Sequence, residues 1–362
     1  MTDPVHEDGI RAESAGTGAV SAGAVGAGAV RAGAGWRVEW ATGDPVEGAV
    51  GAGTAHTDNV WSVATAVVDG RAVAVTGGDE GAVLVWDLAC GERLGDPLPA
   101  GGSVWAVATT VVEGRPVVVV ADPDVLTQAW DLIARRPLAA RAGGAWAVTT
   151  AVVDGRAMVL TGGRAPSPQM WDPATAEPSG HLVGDSAEGH VGAVGAMATA
   201  LVDNRAKAFT LHDDSTVRGW DLTERRQEGR VLSMDAGDPQ RVSLTVVVVD
   251  GCPLAVTGDW NGRVQVWDVD TGREVVGRWR PTPHTGPVWA LAATVVDDRP
   301  LVVTGGDDRT VRVWDLSSHR QVGSDSAFPS AVTAVTMAPD GRVVVGYGGD
   351  VAVLAPLTPP AT

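Results

Sequence analysis

The pair Trp-Asp recurs six times along the chain at nearly even spacing, and this repetition restricts the fold more than any other feature. The intervals between successive pairs are 44, 41, 49, 47 and 47 residues. The pairs are Trp86-Asp87, Trp130-Asp131, Trp171-Asp172, Trp220-Asp221, Trp267-Asp268 and Trp314-Asp315. A chain with this period forms an array of similar units, each completing its core against its neighbours. The 362 residues therefore predict a domain built from repeats.

The sequence between the pairs predicts four strands in each repeat. In the last copy, the apolar run 288–296 predicts the first strand, 301–304 the second and 310–314 the third, with a polar fourth strand near residue 320. Aliphatic inner strands are expected where a sheet is covered on both faces, and a polar strand where it meets water. The first and second strands of each repeat are joined by residues that suit a two-residue hairpin turn because most of them tolerate positive φ. These turns are Asp69-Gly70, Glu113-Gly114, Asp154-Gly155, Asp203-Asn204, Asp250-Gly251, Asp297-Asp298 and Asp340-Gly341.

Seven such turns predict seven repeats, although only six Trp-Asp pairs are present. The carboxyl-terminal end supplies inner strands near 331–336, 342–345 and 350–354 and lacks an outer one, so we expect the segment 36–45 to complete the last repeat. Closing a ring with both ends of the chain removes an exposed sheet edge, which would otherwise favour aggregation.

This pattern resembles the WD40-repeat family over essentially all of the chain after residue 35. The resemblance implies an all-β, seven-bladed β-propeller of four-stranded antiparallel blades over residues 36–362, with the last blade closed by the N-terminal strand. Residues 1–35 are rich in Ala, Gly and Val without a strand-and-turn rhythm, and they predict a disordered extension. Arginine replaces lysine almost everywhere, which resembles the GC-rich coding of bacterial, actinobacterial-style repeats.

The resemblance also implies a structural role for a recurring polar set. In this family a His before the inner strand, a Ser or Thr on the second, an acid in the next turn and the Trp of the third form a hydrogen-bonded network. The matching sets are His56, Thr76, Glu80 and Trp86; His190, Thr210, Asp214 and Trp220; and His284, Thr304, Asp308 and Trp314. The other three repeats carry Ala100, Arg141 and Gly237 in place of the His, so we expect looser blades there. Repetition beside a local Trp favours packing over catalysis, and no metal site is predicted.

A second set of residues predicts a binding surface. Four inner strands open with Trp61, Trp105, Trp146 or Trp289 at their second position, where the other repeats have Gly195, Ser243 and Thr333. The family resemblance places this position near the mouth of the central channel, on the face that usually binds partners. The turn after the second strand reaches the same end of an up-and-down blade, and its residues include Trp260, His212, Asp79, Asp122, Asp213, Asp259 and Asp307.

Indole rings interleaved with carboxylates suit a cationic protein or peptide, through charge and cation–π contacts. The alternative is that these tryptophans only fill space between blades, in a chain with two Phe and one Tyr. Trp279, in the loop before His284, is a further candidate for the binding surface.

Charge and motifs restrict the function. A net charge of −17 disfavours nucleic acid and membrane surfaces as partners. The absence of a signal segment and the two cysteines, Cys90 and Cys252, in different repeats predict a cytoplasmic protein, which we expect to be monomeric. The first hypothesis is a protein-interaction scaffold with no cofactor. One alternative is a ligand-sensing propeller of a bacterial signalling or defence system. A less favoured alternative is an enzyme with its active site at the central channel, because the sequence contains no nucleophile motif and no phosphate-binding motif.

Overall fold

The computed structural model describes residues 30–43, 50–52, 55–184, 192–233, 241–275 and 282–357. These ranges contain 30 β-strands and no α-helix, so no helix among them could cross a membrane. The strands form seven sheets, called blades 1 to 7 in chain order from residue 60. The predicted all-β, seven-bladed propeller is confirmed.

Strands are numbered along the chain, and the first two, β1 (Trp36–Thr42) and β2 (Val50–Ala52), belong to blade 7. Blade 1 contains β3 (Val60–Val68), β4 (Arg71–Gly78), β5 (Ala82–Asp87) and β6 (Leu98–Pro99). Blade 2 contains β7 (Ala106–Val112), β8 (Arg115–Ala121), β9 (Leu126–Asp131) and β10 (Arg136–Ala142). Blade 3 contains β11 (Ala147–Val153), β12 (Arg156–Gly162), β13 (Gln169–Trp171) and β14 (Pro178–His181). Each of these three blades is antiparallel and pairs its strands in chain order.

The remaining blades repeat this pattern. Blade 4 contains β15 (Val194–Val202), β16 (Arg205–His212), β17 (Thr216–Asp221) and β18 (Arg226–Ser233). Blade 5 contains β19 (Arg241–Val249), β20 (Cys252–Asp259), β21 (Val264–Asp268) and β22 (Arg273–Glu274). Blade 6 contains β23 (Ala290–Val296), β24 (Arg299–Gly305), β25 (Thr310–Asp315), β26 (Arg320–Gln321) and β27 (Ser326–Ala327), the last two both pairing with β25. Blade 7 contains β28 (Val332–Met337), β29 (Val343–Tyr347) and β30 (Asp350–Pro356) together with β1 and β2.

The innermost strand of each blade packs against the innermost strand of the next, and β28 contacts β3, which closes the ring. Glycines on the second strand allow this close approach. A Cβ on Gly77 would lie 2.2 Å from Cγ1 of Val104 in the next blade, and one on Gly305 would lie 2.4 Å from Cγ1 of Val332. The hydrophobic core is therefore a series of layers shared by neighbouring blades.

Hydroxyl groups on the inner strands also link the blades. Thr109 Oγ1 donates to the Thr65 carbonyl at 2.6 Å, Thr150 Oγ1 to the Thr109 carbonyl at 2.8 Å, and Thr199 Oγ1 to the Thr150 carbonyl at 2.9 Å. These three bonds satisfy carbonyl groups on the strand edges nearest the axis, from blade 1 to blade 4.

Strand β1 closes blade 7, as the sequence predicts, by pairing antiparallel with β30. Its Trp40 is buried against Trp86 of blade 1, with ring centroids 6.3 Å apart, and its Nε1 donates to the Leu88 carbonyl at 3.0 Å. Trp36 Nε1 donates to the Val322 carbonyl of blade 6 at 3.1 Å. The added β2 pairs parallel with β1, so this blade has five strands where four were expected.

The predicted extension 1–35 lies partly outside the described residues, which begin at residue 30. Residues 30–35 pack against blade 6: Val30 is buried, Arg31 forms a bridge with Ala327, and the Gly33 amide donates to Ser326 Oγ at 2.9 Å. Contacts with the propeller therefore begin before the predicted boundary.

Six of the seven predicted hairpin turns join strands 1 and 2 directly. Each places a non-glycine residue at positive φ, as Asp69 does with φ 49° and Glu113 with φ 48°. The seventh differs, because a five-residue connection, 338–342, replaces the two-residue turn and only Gly341 in it has positive φ, at 83°. The prediction of a two-residue turn at Asp340-Gly341 is therefore wrong.

Candidate partner-binding face

The structure brings the predicted polar set together in blades 1 and 6. In blade 6, His284 Nδ1 lies 2.8 Å from Asp308 Oδ1 and its Nε2 lies 2.8 Å from Thr304 Oγ1, which also accepts from Trp314 Nε1 at 3.3 Å. The equivalent contacts in blade 1 join His56 to Glu80 and to Thr76, which accepts from Trp86.

These networks are structural in character. Both histidine side chains are fully buried, so a substrate has no access to them. Burial alone would raise the pKa of Asp308. Its hydrogen bond and attraction to the His284 ring, together with bonds from Thr310 and the Thr285 amide, outweigh burial and hold that pKa well below its usual range. A carboxylate fixed in its charged form at a buried position holds the loop before the inner strand.

Blade 4 assembles its network differently. Trp220 Nε1 donates to Thr210 Oγ1 at 2.8 Å, and that hydroxyl also contacts Nε2 of His212, which comes from the same strand. The predicted His190 lies outside the described residues. Asp214 accepts from the hydroxyl and amide of Thr216 and pairs with Arg218 at 3.6 Å. The signal for His212 was available in the sequence, since residues two apart on a strand share a face.

His212 is buried, and its second ring nitrogen contacts the Gly192 carbonyl at 2.9 Å. Burial lowers the pKa of His212 below its ordinary value, and the Arg218 guanidinium lowers it further, against the opposing bond to Gly192. The ring is therefore a structural part of the blade, away from partners.

The three repeats without the histidine differ in how the Nε1 group of their tryptophan is bonded. Trp130 Nε1 donates to Gln128 at 2.9 Å and Trp267 Nε1 to Thr257 at 3.3 Å. Trp171 Nε1 is buried and has no hydrogen-bond partner among the described residues. Blade 3 thus carries an unsatisfied donor where blades 1, 4 and 6 have a closed network.

The face where the inner strands begin is called the upper face, and it carries the predicted tryptophans. Each of these residues follows an amide that bonds to the preceding blade: the Val104 N–H donates to the Gly78 carbonyl at 2.9 Å and the Val288 N–H to the Asp259 carbonyl at 3.0 Å. These bonds bring the start of an inner strand beside the neighbouring turn between strands 2 and 3. Trp105 and Trp289 therefore lie next to the turns of blades 1 and 5.

Exposure separates these tryptophans from those of the core. Trp105 and Trp260 are 40% and 41% exposed, whereas Trp86, Trp171 and Trp220 are at most 1% exposed. The predicted Trp61, Trp146 and Trp289 are half-buried. The structure pairs Trp260 of blade 5 with Trp289 of blade 6 edge to face, with ring centroids 4.9 Å apart and planes at 76°. On the upper face, this pair places two indole rings in direct contact. The further candidate Trp279 lies outside the described residues.

The predicted carboxylates of this face divide into two groups. Asp122 and Asp259 are buried, and each uses Oδ1 to accept two backbone amides of its own turn. They cap turns and are not accessible to a partner. Asp79 is half-buried and accepts from Ser103 Oγ at 2.9 Å, while Asp213 and Asp307 are exposed.

Strand register corrects one position. Val60 pairs with Gly78 and Ser62 with Gly77, so Trp61 is the extra residue of a β-bulge; in blade 5, Arg241 pairs with Asp259 and Ser243 with Gly258. The residue equivalent to Trp61 is therefore Val242, and the assignment of Ser243 to that position is wrong by one residue. The bulge recurs in both blades, and counting back eight residues from the hairpin turn at Asp69 or Asp250 reaches Trp61 or Val242.

The fold is a seven-bladed propeller, and the His, Thr, acid and Trp network of blades 1 and 6 is similar to that of WD40 repeats. The family model "WD domain, G-beta repeat" matches residues 50–87 and 278–315, the two repeats in which the full network is described. WD40 propellers generally bind proteins or peptides as interaction scaffolds.

Among solved structures, the chain is similar to the crystal structure of the WD40 beta propeller domain of Doa1, with a TM-score of 0.66 and 17% identity. The match covers 89% of this chain and 97% of that one, and at this identity it shows the fold alone. No curated protein matches the sequence.

Proposed function

We propose that the protein is a non-catalytic interaction scaffold that binds a cationic segment of a partner protein on its upper face. The single observation that carries this proposal is the edge-to-face pair of the exposed Trp260 and the half-buried Trp289 at the boundary of blades 5 and 6. An exposed indole of this kind offers its face to a guanidinium or ammonium group.

Charge near the pair supports a cationic partner. Asp307 lies in the turn between strands 2 and 3 of blade 6, and its amide donates to the carbonyl of Pro287, two residues before Trp289. Its carboxylate is exposed and has no ion pair within the described ranges. Trp105 and Asp79 provide a second, weaker group at the boundary of blades 1 and 2. The net charge of −17 acts in the same direction.

The positions of the titratable groups support a scaffold role. The histidines that contact carboxylates are buried in blade networks, and the described residues contain no group of three or more side chains arranged to hold a metal ion. We infer that the protein works in the cytoplasm as a monomer and contributes a surface rather than a reaction.

The test is a comparative capture from the native host with the whole chain, followed by titration. Wild type, Trp260→Ala, Asp307→Asn and the control Glu92→Gln, an exposed acid of blade 1 away from the upper face, are immobilised and the bound proteins identified by mass spectrometry. We expect a protein captured by wild type and Glu92→Gln whose purified form binds Trp260→Ala about tenfold or more weakly, the usual effect of losing an aromatic anchor. Equal affinity for Trp260→Ala and wild type would contradict the proposal.

A further inference from the structure

The lower face, where the inner strands end, carries a ring of exposed aliphatic side chains. In five blades the residue two positions before the first hairpin turn is between 48% and 62% exposed. This set, the lower ring, consists of Val67, Val111, Val152, Leu201 and Val295. In blade 5 the equivalent Val248 is half-buried.

Packing does not explain the lower ring. The following residue of each strand points into the core, as Val153 and Val202 do with at most 8% exposure, whereas the ring residue points away. Strand propensity favours a β-branched residue there but would accept Thr equally. Blade 7 lacks an exposed aliphatic residue at this position, because its longer connection 338–342 begins with the buried Ala338. A repeated exposed aliphatic position marks an interaction surface.

Free carboxylates surround the lower ring. Each of the six hairpin turns begins with an exposed acidic residue that has no hydrogen bond or ion pair to its side chain in the described part of the chain. They are Asp69, Glu113, Asp154, Asp203, Asp250 and Asp297. Four of the five arginines that follow these turns pair with the Asp of a Trp-Asp pair instead: Arg71 with Asp87, Arg115 with Asp131, Arg205 with Asp221 and Arg299 with Asp315. The fifth, Arg156, has no ion pair among the described residues. The lower face therefore carries an exposed aliphatic side chain and, two residues later on the same hairpin, a free carboxylate in each of five blades.

A cleft between blades 3 and 4 gives this surface depth. Val152 and Leu201 line a cavity of about 380 Å³ together with Asp154, Glu224 and Arg205, whose guanidinium is paired with Asp221. Two members of the lower ring thus stand in one depression beside two carboxylates, which suits an aliphatic side chain with a neighbouring cation.

We propose that the lower ring binds a second protein segment, one that carries aliphatic side chains flanked by Lys or Arg, with its anchor in the cleft between blades 3 and 4. Charge selects this occupant. A second copy would set one ring of carboxylates against another, and an anionic membrane surface would be repelled in the same way. The surface lies on the face opposite to Trp260, so the two sites can be tested separately.

The probe is a fluorescent synthetic peptide of about 18 residues, Leu and Lys patterned as an amphipathic helix of about five turns. Its binding is measured by anisotropy to wild type, to Val152→Thr/Leu201→Thr and to the control Val125→Thr, which alters an exposed valine near the upper face. These substitutions leave the net charge unchanged, and matching denaturation midpoints verify folding. We expect the double variant to bind about tenfold more weakly and Val125→Thr to bind like wild type.

Further arms separate the sources of binding. A peptide with Glu in place of Lys should not bind, and Trp260→Ala should bind the basic peptide as wild type does, so failure here is distinct from failure of the upper-face proposal. If wild type and the double variant bound the basic peptide with equal affinity, the binding would come from general charge attraction alone, and the proposal would be overturned. So would a wild-type dimer abolished by the double variant in sedimentation, or binding to phosphatidylserine vesicles without binding to the peptide.

Discussion

Replacing Trp40 by Ala tests whether the N-terminal strand holds the ring closed. The side chain is 1% exposed and packs between blades 7 and 1, so its removal deletes a full indole from a layer that cannot collapse freely. The Leu88 carbonyl that loses its indole donor still accepts from Arg342 at 2.8 Å, so no buried acceptor is left unpaired. The cost is therefore the loss of packing, about 3–5 kcal/mol of unfolding free energy for a buried Trp→Ala change.

Guanidinium unfolding, followed by the fluorescence of the remaining tryptophans, measures this loss. Trp105→Ala is the matched control, because the same substitution at a side chain 40% exposed removes less buried area and should cost about half as much or less. A loss below about 1 kcal/mol for Trp40→Ala, or one equal to that of Trp105→Ala, would refute the conclusion that β1 secures blade 7 against blade 1.

Two further predictions concern the blade networks. The bond to His284 depresses the pKa of Asp308 in the folded state, so Asp308 contributes stability that is present above its ordinary pKa of 3.8 and is lost as the pH falls toward the folded-state value. Asp308→Asn should therefore flatten the acid limb of a plot of unfolding free energy against pH. An unchanged acid limb would exclude this role. Trp86→Phe should cost about 1 kcal/mol more than Trp171→Phe, because only the former removes a hydrogen bond, the one to Thr76 at 2.9 Å; equal midpoint shifts in paired denaturation curves would contradict this.

The architecture was accessible from the sequence because it depends on repetition. The spacing of the Trp-Asp pairs fixed the blade size, and the acidic hairpin turns, such as Asp69-Gly70, located the ends of the inner strands. The carboxyl-terminal repeat lacks an outer strand, and because an unpaired sheet edge needs a partner, this predicted that the N-terminal segment containing β1 completes it. These features are local patterns that recur, so each copy supports the interpretation of the others.

The details of the site depend on register and burial, which a linear pattern does not contain. Strand register places Val242, and not Ser243, at the position equivalent to Trp61. Asp122 and Asp259 look like surface acids in the sequence, yet their turns fold over them so that they cap backbone amides. Each residue of the lower ring is followed in the sequence by a valine and an acidic residue, as in Val67-Val68-Asp69, but only its exposure distinguishes it from the core.

Pairing β1 with β30 also has a consequence for how the protein is made. Thr42 and Asp350, bonded at 2.9 Å, are 308 positions apart, so at ordinary translation speeds the first strand leaves the ribosome about 15 to 60 s before its partner exists. During that interval Trp36 lacks its hydrogen-bond partner, the Val322 carbonyl of blade 6, and the nascent chain presents an unpaired strand edge. Assembly must finish with the event of greatest sequence separation, which makes late synthesis the period when chaperones matter most.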